Sequence, residues 1–139
     1  MKTTPNVMMA FACESASSEP GEPISFHHVL DGIEAAEFPA PTGRWFGVFC
    51  FYSPEEKAIS NCRVVIEHES GEIVAQTKVK DLTFAADRPI SRNMVGFAGF
   101  SWPYPGIYHV NFVAERSTVL ATFPMVVQTA AQPEEGDDS

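Results

Sequence analysis

The tightest constraint on this fold lies late in the chain, between Phe100 and Phe112. Pro105-Gly106 makes a tight turn, and strict alternation follows it: Tyr108, Val110 and Phe112 on one side, His109 and Asn111 on the other. A turn followed by period-two alternation reads as a half-buried strand. Register extends the argument. With Arg116-Ser117 as the next turn, Phe112 falls opposite Ala121, Val110 opposite Phe123 and Tyr108 opposite Met125. Directly opposed residues share a sheet face, so both strands want the same face inward. A one-residue slip would set Thr122 and Pro124 against that face instead.

The rest of the chain supplies further strands to cover this pair. Val7 to Cys13 is apolar on both sides. Ile24 to Ile33 follows, bent or bulged at Asp31-Gly32. Glu34 to Glu37 has room for one helical turn, which Phe38-Pro39-Ala40-Pro41 ends. Arg44 to Tyr52 is the most aromatic stretch. Asn61 to Glu69 and Glu72 to Val79 flank a Ser70-Gly71 hairpin turn. Asn93 to Trp102, Ile107 to Ala114 and Val119 to Val127 complete the set. Turn signals at this spacing predict an all-β, antiparallel immunoglobulin-like sandwich of about seven to eight strands. Residues 1–127 read as a single domain. Residues 128–139 read as an acidic, disordered tail, since they lack periodicity and apolar content.

A chain of 139 residues with 45% hydrophobic residues has material for a core. Its net charge of -9 argues against nucleic acid, whose phosphates repel an acidic surface, and against anionic membranes. The apolar run before Cys13 is too short for a secretory signal and has bulky Phe11 near its end. No run reaches the length of a membrane helix. Three cysteines exclude a complete disulfide framework, and a cytoplasmic location is the simpler reading.

The order of these features resembles a family of bacterial domains of unknown function called DUF6941. The likeness rests on Phe11-Ala12-Cys13 at the end of the first strand, Phe38-Pro39 after the second, the Ser70-Gly71 hairpin, and Phe100-x-x-x-Pro105-Gly106-x-Tyr108-x-Val110-x-Phe112. It covers about residues 6 to 127. It implies an immunoglobulin-like β-sandwich and carries no functional residues with it. His27-His28 in the second strand departs from the pattern.

Residues able to do chemistry are sparse. His27 and His28 are adjacent in a strand, so they point to opposite faces and do not share a metal. His68 and His109 have no ligand spacing, so no metal or cofactor is expected. Gly99-Phe100-Ser101 is half a nucleophile elbow, but its fifth position is Pro103 and no helix follows. Glu14, Glu19 and Glu22 sit in a Ser/Pro-rich loop and read as solvated charges. If Cys50 lies opposite Cys62, then Val48 faces Val64 and Phe46 faces Ile66. The two thiols are then close, and in a reducing compartment both are expected to stay free. That register leaves Trp45, Phe49 and Phe51 on the outward face, a candidate interaction surface for a protein partner or a second copy. The alternative is that the inward and outward labels of this strand are exchanged.

Two functions follow. The first is a non-catalytic binding or assembly module, not an enzyme. The second is a small-ligand-binding protein or small enzyme with a pocket at the sheet edge or loop ends. One local expectation links sequence to topology: Tyr108 should form a tyrosine corner, its ring buried and its hydroxyl bonded to main chain between Phe100 and Tyr104.

Overall fold

The computed structural model describes residues 4–17 and 23–130. Within them the chain forms thirteen strands and no helix. These are β1 (Asn6–Ser17), β2 (Ser25–Leu30), β3 (Gly32–Ala35), β4 (Ala40–Pro41), β5 (Trp45–Tyr52), β6 (Lys57–Ile59) and β7 (Arg63–His68). They continue with β8 (Ile73–Lys78), β9 (Leu82–Phe84), β10 (Ile90–Phe97), β11 (Ser101–Trp102), β12 (Gly106–Ala114) and β13 (Thr118–Thr129). A four-stranded sheet has the order β10-β5-β1-β2, and a five-stranded sheet the order β3-β13-β12-β7-β8. Two short ribbons, β11-β4 and β6-β9, complete the strand pairing.

The strand count exceeds the sequence expectation for identifiable reasons. The stretch from Ile24 to Ile33 breaks at Asp31 into β2 and β3, which belong to different sheets. The break is a crossover rather than a bend within one strand. Gly32 sits so close to the Val126 carbonyl that a Cβ would collide with it, so this crossing requires glycine. The stretch from Asn93 to Trp102 also divides, at Gly99, whose φ is +72°. The segment from Glu34 to Glu37 holds the end of β3 rather than a helical turn. The antiparallel expectation needs one correction: β3 joins β13 in parallel, pairing Gly32 with Val126 and Ala35 with Thr129. A crossover from one sheet to the other delivers the chain in that direction. β13 therefore continues to Thr129, past the expected strand end at Val127; residues 131–139 lie outside the described residues.

The two larger sheets share one core. Phe49 and Phe51 of the four-stranded sheet meet Phe112 of the five-stranded sheet at centroid distances of 5.3 and 5.0 Å, and Phe49 meets Phe123 at 5.5 Å. The β12–β13 register agrees with the sequence reading: Tyr108 opposes Met125, Val110 opposes Phe123 and Phe112 opposes Ala121. The Ser70-Gly71 turn also forms, with Gly71 at φ +97° and its N–H bonded to the His68 carbonyl at 2.8 Å.

Candidate functional site

Both ends of β12 are pinned by polar side chains that reach main chain. At one end Tyr108 is fully buried. Its hydroxyl donates to the Tyr104 carbonyl at 2.6 Å and accepts from the Tyr104 N–H at 3.1 Å. This is the expected tyrosine corner. Burial pushes the Tyr108 hydroxyl above its ordinary pKa. His68 buttresses the same turn. The Ser70 N–H donates to its Nδ1 at 3.1 Å, so Nδ1 carries the lone pair and Nε2–H donates to the Pro105 carbonyl at 3.1 Å. Gly106 fits here because its φ is +136° and a Cβ would lie 2.5 Å from His68 Nε2. At the other end Arg63 donates to the carbonyls of Asn61, Glu115 and Arg116, and Asn61 Nδ2 donates to the Glu115 carbonyl. These groups hold loops in place.

The remaining sequence candidates fall apart in space. His27 bonds Ser17 and His28 bonds Glu14, both exposed. Glu19 and Glu22 lie outside the described residues. Among the described residues no three His, Cys, Asp or Glu side chains come together as a metal-binding set. Cys50 does not face Cys62: β5 pairs with β1 and β10, whereas Cys62 precedes β7 in the other sheet. The expected β5–β7 hairpin failed because strands distant in sequence flank β5 on both sides. All three thiols are free and buried, and burial pushes each of them up in pKa.

The expected aromatic surface is likewise corrected. Trp45, Phe49 and Phe51 are 2%, 0% and 0% exposed and face the shared core. Trp45 stacks on Phe97 and Trp102 at 4.4 and 5.6 Å. The residues between them, Phe46, Val48 and Cys50, take the outward face.

That outward face is the most distinctive surface of the molecule. Strand pairing sets Phe46 opposite Cys13, Val48 opposite Phe11 and Met94, and Cys50 opposite Met9 and Arg92. Cys13, Val48 and Cys50 form a second small cluster, flanked by Met9, Phe11, Phe26 and Phe46. Phe11 and Phe26 meet edge to face at 4.9 Å. Val29 is 63% exposed and Met94 46%, and Ile90 and Tyr52 are also exposed. The outward positions of β1, β5 and β10 hold no aspartate or glutamate. Their charge is Arg92, joined at the rim by Arg44, whose guanidinium lies 5.0 Å from the Phe46 ring centre.

Two clefts add polar rims. One, of about 400 Å³, has Ile59, Ala114 and Leu120 as its floor and Glu55, Glu56, Lys57 and Glu115 around it. The other, of about 360 Å³, opens between the sheets beside Leu30, Ile33, Trp45 and Met125, with Glu14, Glu34 and Arg44 at its rim. No serine, cysteine or histidine lines either cleft among the described residues.

Fold and surface together define an all-β domain with one apolar outer sheet face. No family model matches the chain, and no curated protein matches it. Among solved structures it is similar to the alkylpurine DNA glycosylase AlkC of Pseudomonas fluorescens, bound to DNA containing an abasic site analog. The identity is 11% and the TM-score 0.56, over 91% of this chain and 31% of that one. The chain thus spans about a third of the glycosylase. This finding overturns the exclusion of nucleic acid drawn from net charge, because the same fold occurs within a protein solved on DNA. Total charge does not exclude such contact, since it averages over faces of opposite character. No helix among the described residues is long and apolar enough to cross a membrane.

Proposed function

We propose that this chain is a non-catalytic binding module, an immunoglobulin-like β-sandwich working in the cytoplasm, and a DUF6941-like domain by the order of its features. The observation that carries the reading is the apolar, carboxylate-free outer face of the four-stranded sheet. Exposed apolar patches rimmed by polar groups mark interaction sites. Arg44 and Arg92 favour an apolar polypeptide surface with an acidic rim. Tyr108, His68, Arg63 and Asn61 are engaged with main chain, which fits a scaffold better than a catalytic centre.

Binding of an apolar dye to the native protein tests the reading. Fluorescence should rise on mixing and fall in Met94→Glu and Val29→Glu. Dye binding that these substitutions leave unchanged would place the apolar site elsewhere and overturn the reading.

A second reading, contact with nucleic acid, is favoured by the glycosylase likeness. On this chain the contact would use Arg44 and Arg92. Saturable, salt-dependent anisotropy changes with single-stranded or abasic duplex DNA, lost in an Arg44→Glu, Arg92→Glu double variant, would replace the first reading with the second.

A further inference from the structure

The edges of the two large sheets are guarded unequally. An edge strand presents unpaired N–H and C=O groups, which proteins shield with short strands, bulges, lysines or prolines. β2 is interrupted by His28, whose φ is 57°. β3 has four residues, and β8 carries Lys78 at its end. β10 has no bulge, lysine or proline; its one charge is Arg92, and β9 lies against it. It runs eight residues and pairs with β5 in unbroken register from Ile90 to Phe97. Its other side pairs with no strand of the sheet.

We propose that β10 accepts an extended segment of another polypeptide as an added strand. The inference rests on the binding-module reading and names its partner's chemistry. Main-chain hydrogen bonds would supply affinity, and alternate side chains would supply selectivity. Ile90 and Met94 point outward on β10 and are 41% and 46% exposed, so the added strand continues the apolar outer face. Arg92 lies between them on the same face. The incoming segment therefore carries apolar residues at alternate outward positions and a carboxylate opposite Arg92.

The test uses the full chain and two capped eight-residue peptides of alternating valine and threonine. One carries glutamate at its central outward position, the other lysine. At a peptide concentration of about ten times Kd, alternate amides of residues 90–97 should exchange about tenfold more slowly with the glutamate peptide. Arg92→Glu, an exposed substitution whose thermal melt should match the parent's, should transfer that protection to the lysine peptide. Protection at β2 or β8 instead, or preference unaltered by Arg92→Glu, would overturn the proposal. So would protection of β10 that rises with protein concentration alone, since a second copy would then occupy the edge. If neither peptide protects β10 while the apolar dye still depends on Met94, the edge proposal fails and the binding-module reading stands. If the dye is also insensitive to Met94, both fail.

Discussion

The outer faces of the two large sheets cover the same core from opposite sides, yet they are built differently. On the five-stranded sheet the outward row of β7, β12 and β13 holds Arg63, Glu67, His109, Asn111 and Thr122 among its apolar residues. On the four-stranded sheet the corresponding row holds Met9, Phe11, Cys13, Phe46, Val48, Cys50 and Met94, with Arg92 as its charge. The first is the solvated face expected of an antiparallel pair. The second buries a small cluster of its own and leaves apolar side chains at its margin. A face this apolar raises the free energy of the isolated domain unless something covers part of it, which is the physical basis of the binding-module proposal.

The contrast can be broken by substitution. Phe112→Ala, in the shared core where Phe112 is fully buried against Phe49 and Phe51, should cost about 3–5 kcal/mol. Chemical denaturation would show it, and a change under about half a kcal/mol would remove Phe112 from the core. Val48→Ala, on the outward side but 1% exposed, should cost about 2 kcal/mol, less because its cluster is smaller. A cost equal to that of Phe112→Ala would mean the outward cluster is a core in its own right.

These differences explain what was legible in the sequence. The β12–β13 register was readable because Tyr108, Val110 and Phe112 alternate with polar residues, so one face excludes the other. The tyrosine corner was readable for a local reason: Pro105-Gly106 fixes where Tyr108 enters its strand. β5 was not readable in the same way. Trp45, Phe49 and Phe51 alternate with Phe46, Val48 and Cys50, and both sets are apolar, so periodicity could not choose the inward side. Its partners β1 and β10 lie far away in sequence, which misdirected the pairing toward Asn61 to Glu69. The parallel β3–β13 pair depends on a crossover at Asp31 that local patterning reads as a bend.

Tyr108→Phe removes one donor and leaves the Tyr104 carbonyl without its 2.6 Å bond, so it should cost roughly 1–2 kcal/mol. An unchanged melt would show that the corner positions the chain without stabilising it.

A pH scan separates burial from exposure more gently. Burial raises the thiols of Cys13, Cys50 and Cys62, and the hydroxyl of Tyr108. The folded protein holds these protons longer than the unfolded chain. Their contribution is therefore complete below the ordinary values, about 8.5 for the thiols and about 10 for the hydroxyl, and is lost as pH rises through those values toward the raised ones. Melting temperature should fall across that range, and a rise would contradict the burial of these groups.

The smallest expected effect is at the margin. Met94→Glu should change stability by less than about half a kcal/mol, because the side chain is half exposed. A large loss there would show that the outer face is structural rather than free for contact.

The inward and outward assignment of β5 and its neighbours underlies every functional statement above. Hydroxyl-radical footprinting of the native protein, read by mass spectrometry, tests it residue by residue. Met94 should oxidise rapidly and Phe46 measurably, while Trp45, Phe49 and Phe51 stay protected until the protein unfolds. Rapid native-state oxidation of Trp45 and Phe49, with Met94 protected, would reverse the face and contradict the account.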